Sequence, residues 1–400
     1  MMKKFRIIFL LVIAFLIGYI HTAFIYNGFW HQVGLGLKTI PLWMYFIWFM
    51  MTFFITLIIH ELGHFIAFSV QGVKLRALYI FIFVLYKDQK GWHVTIKPKL
   101  WVLIGGLVVP DLGEIKDEET YEKINKKFAN ALIAAPIVTI VFAILMFMFA
   151  ILMIIFSTQY TLSGIIILTS LYTLILTIVY VYSFTLSNQM FYGDFVAYRK
   201  MKTDPIFQLA QLTQYTMFSM SDLEDTDRFL WCKIRDTLQK THIKQGLFLM
   251  MLIMYYIEGL LKYDLEPDPQ VHIKLSRLQV HPYMRSEHGV MLTYDLAHYF
   301  YKIGQVEKAY MLFDYIQDRA SQKIDEETLD YLKKRSMHIM HIEDQSAFIK
   351  TLNGQKVGQA WMFDVLMDLD VMMTENFEKL PFQTYLCEVE LKMDEEKEGE

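Results

Sequence analysis

The chain has 400 residues, 54% of them hydrophobic and 20% charged, with a formal net charge of −4. That length predicts more than one domain, and an apolar excess concentrated before residue 190 predicts a membrane part followed by a soluble part. No basic stripe runs through the chain, which excludes nucleic acid as a partner, and two cysteines without metal-ligand spacing, Cys232 and Cys387, read as reduced thiols in the polar half.

The first long apolar run, Phe5 to Ile25, follows Lys3, Lys4 and Arg6. Its apolar core exceeds the roughly 7–15 residues of a signal peptide and no small-residue cleavage site follows, so it is predicted to stay as a span. The second run, Ile40 to Val70, is longer than one crossing needs and carries His60-Glu61-Leu62-Gly63-His64 towards its far end. Between Leu78 and Pro110 come two runs of strand-like composition, Tyr79 to Tyr86 and Trp92 to Ile96. An apolar segment too short to span, Leu103 to Pro110, then reads as a membrane-dipping stretch. The third and fourth spans are predicted at Ala129 to Phe156 and Leu162 to Leu186.

Lysine and arginine set the orientation. The loop from Gly72 to Lys127 carries ten of them, the connections at Phe29 to Thr39 and Ser157 to Thr161 carry one between them, and Arg199, Lys200 and Lys202 follow the last span. Basic loops stay on the cytoplasmic side. The chain is therefore expected to be a multi-pass protein of the cell membrane with both termini cytosolic and the histidine pair near the cytosolic end of the second span.

After about Asp204 the apolar positions recur at helical spacing and Gly and Pro are sparse. Gly246 to Leu261 is Met-rich but only about 16 residues long, below what spanning requires, and is predicted to be a buried core helix. Ala297, Phe300, Gly304, Ala309 and Phe313 fall at the spacings of a tetratricopeptide-like helix pair. Glu388 to Glu400 holds seven acids against two lysines and reads as a solvated tail. The expected architecture is mainly α: a membrane domain over 1–200 with about four spans and a small β region, a cytosolic helical-repeat-like domain over 201–387, and an acidic tail over 388–400.

A glutamate between two histidines inside hydrocarbon is costly unless it has work to do. On a helix, residues four apart share a face, so His60 and His64 can present imidazole nitrogens to one Zn²⁺, with Glu61 beside its open position as general base and later acid. This is the zincin scheme of peptide hydrolysis, and composition alone would supply such a pentad only about 0.02 times in a chain like this one. The neighbours have plainer roles. Gly63 allows a close helix approach, Pro136 starts or kinks a helix, Asn188 either bonds a helix terminus or holds a substrate backbone group, and His31 and His93 beside tryptophans anchor at the interface.

The run His60-Glu61-Leu62-Gly63-His64-Phe65, with Ala67 and Gly72-Val73-Lys74 after it, resembles the site-2 protease family of intramembrane zinc metalloproteases. The likeness extends over roughly residues 40 to 200, through the membrane-associated β region and Ala134-Ala135-Pro136 at the opening of the third span. The resemblance implies a third ligand from an aspartate on a later span, usually in a stretch ending Asp-Gly. Asp194, in Asn188-Gln189-Met190-Phe191-Tyr192-Gly193-Asp194, is the acid so placed, although here the order is Gly-Asp and the prolines are absent; Asp111 and Glu114 are the reserve. It also implies substrates that are membrane-embedded segments of proteins or peptides, cut near the cytosolic side. Such a segment must be extended before it is cut, and an edge strand within Leu78 to Val109 would grip it by β-augmentation. A membrane-dipping loop without substrate contact is the competing reading of that stretch.

The helical domain would offer a surface to a cytosolic protein partner. Two other classes remain open: an inactive membrane adaptor working through that domain, and a small transporter, for which the chain lacks the internal repeat symmetry that many transporters show.

Overall fold

The computed structural model describes residues 28–103, 105–156, 159–188, 192–220, 224–263, 265–319 and 324–349, together with 18, 22, 363, 365 and 366. The predicted first span (apart from residues 18 and 22), Cys387 and the acidic tail lie outside the described residues. Contacts divide the chain into two compact units, one of residues 1–64 and 133–186, the other of 65–132 and 187–400.

The first unit is built from helices. A short helix, α1 (Phe29–Lys38), stands where a plain connection is expected; Gly28, at φ 65°, turns the chain into it. It is followed by α2 (Leu42–Val70), α3 (Glu118–Phe156) and α4 (Tyr160–Phe184), of which α2 and α3 continue beyond the unit. These three are long and apolar enough to cross a membrane, and they match the predicted second to fourth spans except that α3 begins about three turns earlier, in a charged stretch. A helix satisfies every backbone group within itself, which hydrocarbon demands.

Side-chain placement on these helices is inverted relative to a water-soluble bundle. Phe46, Phe147 and Phe156 point outwards, while Ala135, Ala143, Thr139 and Thr173 are buried. Lipid removes the penalty on exposed apolar groups, so small residues move to the helix contacts, where they let backbones approach. A Cβ built on Gly63 of α2 would lie 2.7 Å from the Cα of Ala135 in α3, and one on Gly164 of α4 would collide with the Gly36 carbonyl of α1.

The second unit begins with a four-stranded antiparallel sheet of β1 (Lys74–Ile80), β2 (Phe83–Asp88), β3 (Gly91–Ile96) and β4 (Gly106–Asp111), in the order β3-β2-β1-β4. Two expectations change here. The single run Tyr79 to Tyr86 is a hairpin: Ile80 pairs with Phe83 across a two-residue turn in which Phe81 adopts φ 55°. The apolar stretch near Leu103 to Pro110 does not form a membrane-dipping loop but supplies β4, which pairs with β1 from Lys74↔Asp111 to Ile80↔Gly106. Pro110 is tolerated because β4 is an edge.

Helices α5 (Asp194–Thr203), α6 (Pro205–Thr216), α7 (Glu224–Lys240), α8 (Leu247–Tyr263), α9 (Pro269–Ser276), α10 (Glu287–Lys302), α11 (Val306–Arg319) and α12 (Glu326–Ile339) follow. Asp204 caps α6 by accepting from the amides of Ile206 and Phe207, with Pro205 preset at the first turn. The Met-rich segment forms α8, whose Leu252, Ile253 and Tyr256 are buried, in keeping with a core helix. The pattern around Gly304 is realised as the packed pair α10 and α11: Gly304, at φ 85°, makes the turn, and Ala297, Phe300, Ala309 and Phe313 are buried.

Candidate metal centre

Helix α2 carries the pentad through a stretch of apolar side chains with no proline, so its ladder is unbroken and the four-residue spacing puts His60 and His64 on one face. Their ring centroids are 5.0 Å apart and nearly perpendicular. His60 and Glu61 are buried, at 8% and 5% exposure, so the pair is withdrawn from the surface that the rest of α2 offers to lipid.

The orientation of His60 is fixed by its neighbours in the first unit. Its Nδ1 lies 3.0 Å from Oγ1 of Thr139, and that hydroxyl donates its one proton to the carbonyl of Ala135 at 3.0 Å. A hydroxyl whose proton is committed can only accept. In that arrangement Nδ1 donates to Thr139 and Nε2 is the nitrogen that can serve as a ligand atom, as in metal-bound histidines whose tautomer a second group fixes. The ring also stacks on Phe184, 4.7 Å away at 13°. Close approach at Gly63 and Ala135 brings Thr139, one turn further along α3, within reach.

Thr139 and Phe184 were not singled out by the sequence. A lone threonine in an apolar span bonds its own helix in most cases, and an aromatic there reads as lipid contact. Only the pairing of α2 with α3 and α4 gives either residue a place beside His60.

Asp194 is the first residue of α5, directly after Gly193, whose carbonyl accepts from the amides of Val196 and Ala197. An antiparallel bridge between Ser187 and Tyr192 precedes it. Among the described residues, His60, His64 and Asp194 form a group that could hold a metal ion: each offers one ligand atom, and the three atoms lie within 4.8 Å of one another. Two imidazole nitrogens and a carboxylate oxygen fit the donor preference of zinc, and three protein ligands leave the fourth position open for chemistry.

The reserve acids are engaged otherwise. Asp111 accepts from Ser219 Oγ at 2.9 Å and from the Gly113 amide at 3.3 Å, and Glu114 pairs with Lys116 at 2.6 Å. His93 bonds Asp88 at 2.9 Å within the β2–β3 hairpin, and hydrogen bonds from the amides of Lys90 and Gly91 and from His93 hold that carboxyl below its usual range. Asn188 is exposed in the turn before Asp194.

No curated protein and no solved structure matches the chain. The family model of Peptidase family M50, the site-2 protease family of membrane zinc metallopeptidases, matches residues 48–375. The match runs well past residue 200 and takes in the sheet and every described helix after it. Covering most of the chain, it shows that this protein belongs to peptidase family M50.

Proposed function

We propose that the protein is a zinc-dependent intramembrane endopeptidase that cuts membrane-embedded segments of proteins or peptides near the cytosolic side. The observation that carries this reading is the gathering of His60, His64 and Asp194 about one point, with Glu61 buried next to His60 in the same helix. The two histidines and the aspartate would hold Zn²⁺. When bound, the ion supplies Lewis acidity, lowering the pKa of a water to about 7 and polarising the scissile carbonyl.

The chain's own residues do the rest. Glu61 takes a proton from the attacking water and hands it to the departing amine, so one carboxyl serves as base and then as acid. Thr139 holds His60 in the tautomer that makes Nε2 the ligand atom, and Phe184 restrains its ring. The site requires an extended substrate, because a helical peptide bond is shielded by its own ladder. The sheet has two edge strands, β3 and β4, either of which could pair with such a segment. Basic loops place the His64 end of α2 and both termini in the cytosol, where the helices after residue 204 would meet a protein partner.

The test is a comparison of wild type with Glu61→Gln in native membranes, reading out uncut substrates by proteomics and zinc by elemental analysis. Retained zinc with accumulation of uncut membrane segments is expected. Identical substrate profiles, or a folded protein that neither contains nor takes up zinc, would leave the inactive adaptor as the better description.

A further inference from the structure

Near its end, α4 sets two rings beside His60. Tyr180 and Phe184 are four residues apart and so share a face of the helix, and their rings lie 6.1 Å apart at 8°. The Tyr180 ring is 6.4 Å from that of His60 at 17°, so the imidazole and both aromatic rings are nearly parallel. Phe53 of α2 flanks Tyr180 as well, at 6.4 Å. These contacts fix where the phenol points. Glu61, the proposed base, lies close enough for its charge to act on that phenol.

The hydroxyl of Tyr180 is buried, and among the described residues no group bonds it. A buried tyrosine hydroxyl as a rule finds a partner. Tyr45 of α2 does so, donating to the Leu37 carbonyl at 3.0 Å. Ser170, Thr173 and Thr177, earlier in α4, also have buried hydroxyls without a partner, but a short side chain needs only a rotamer change to bond the carbonyl four residues back, as Thr56 and Thr169 do. A phenol is too long and stiff to turn back onto its own helix. The Tyr180 donor is thus left for a group that arrives from outside the fold, beside one proposed metal ligand and the proposed base.

We propose that Tyr180 is a further catalytic residue: its hydroxyl donates to the carbonyl oxygen of the scissile peptide as that oxygen takes on negative charge. The assignment rests on the reading of the protein as an endopeptidase. The water oxygen bonds to the carbonyl carbon, the π pair moves onto the carbonyl oxygen, and the hydrogen bond from Tyr180 strengthens while the phenol keeps its proton. When that pair returns, the C–N bond breaks and Glu61 gives the departing nitrogen the proton it took from the water. A donor unpaired beforehand gives up no bond to meet the oxyanion, and apolar surroundings raise its worth. Because the charge is greatest in the transition state, the bond favours reaction over binding.

The experiment uses the full chain in native membranes, with the segments that accumulate uncut in Glu61→Gln as substrates. Tyr180→Phe removes the hydroxyl and keeps the ring. Cutting of those segments is expected to slow by about 100-fold, the effect of losing one oxyanion donor, while zinc content stays at the wild-type level. The melting temperature in mild detergent should not fall, since an unpaired hydroxyl adds nothing to the fold. Binding is read without turnover: uncut segments that co-purify with Glu61→Gln should co-purify equally with Glu61→Gln combined with Tyr180→Phe. Cutting at the wild-type rate in Tyr180→Phe overturns the proposal. So does a loss of co-purified segments, which would assign the phenol to substrate binding, and so does lower zinc content or a lower melting temperature, which would assign it to the metal site or the fold. If no segment accumulates in Glu61→Gln, the endopeptidase reading fails first and takes this role with it, a result distinct from normal cutting by Tyr180→Phe.

Discussion

At the scale of the residue, Thr139 carries the sharpest prediction, because its hydroxyl is the group that decides which nitrogen of His60 carries the proton. Thr139→Val keeps the shape of the side chain and removes the acceptor, leaving a buried Nδ1–H unpaired. Loss of such a supporting hydrogen bond costs about 10–100-fold in metal affinity, so the variant is expected to lose zinc to a chelator at a correspondingly lower concentration. Thr139→Ser should restore it, and equal zinc affinity in all three would remove Thr139 from the site. A second residue governs pH behaviour away from the membrane. His298 in α10 is buried at 1% exposure, bonded through Nε2 to Ser336 Oγ at 2.7 Å, with Asp295 3.7 Å from Nδ1. Burial, reinforced by the nearby Arg335, drives its pKa well below the ordinary value, so the folded state holds it neutral. Unfolding then takes up a proton between the folded-state pKa and about pH 6.5, so stability is full above that window and falls as pH drops through it, by at most about 1.4 kcal/mol per pH unit. Thermal unfolding in mild detergent between pH 8 and pH 5 should show this slope, and His298→Gln should flatten it; an unchanged slope in the variant would assign the acid sensitivity elsewhere.

At the scale of the element, the contact between α2 and α3 is where packing and chemistry meet. Gly63 lies between the two histidines, and even a methyl group there would stand 2.7 Å from Ala135 Cα, a backbone atom that cannot give way without moving the helix. Gly63→Val is therefore expected to separate α2 from α3, at about 1–3 kcal/mol for overpacking, and to weaken zinc binding by pulling His60 from Thr139. Normal zinc retention with an undiminished melting temperature would show that the contact is softer than its geometry. The glycine was legible as a site of close approach because small residues in spans mark helix contacts, and the histidine pair because metal chemistry favours that spacing. The sheet was less legible. Its first turn has Phe81 at φ 55°, with no glycine or asparagine to announce it, so two strands read as one. Strand β4 was hidden for a different reason: an apolar run of strand length reads equally well as a membrane-dipping segment until a partner is known, and its partner β1 lies about 30 residues away. Asp194 was singled out by its position after the last span, despite a Gly-Asp order that departs from the family's. The same glycine that breaks the pattern is the residue from which α5 starts.

At the scale of the whole molecule, the family match from residue 48 to residue 375 argues that the helices after α5 are part of the enzyme's design and not an unrelated appendage. It also bears on membrane topology through parity. The three candidate spans, α2, α3 and α4, would cross in alternating directions, which would put the far end of α2, with His64, and the end of α4, from which the chain runs to Asp194, on the same side whatever precedes α2. A metal shared by those residues requires that outcome; an odd number of crossings between them would forbid it. Basic residues choose which side: Lys87, Lys90, Lys97 and Lys99 lie between α2 and α3, whereas the turn between α3 and α4 has none. With Cys232 and Cys387 replaced by serine, Lys90→Cys is expected to react with a membrane-impermeant maleimide only after the cells are opened, while Gln159→Cys reacts in intact cells. The reverse pattern would place the histidine pair at the outer face and overturn cleavage on the cytosolic side, leaving the metal site itself intact. Labelling of both positions from one side would be more damaging, since α3 would then not cross, and no single ion could be gripped by the end of α2 and the residue that follows α4.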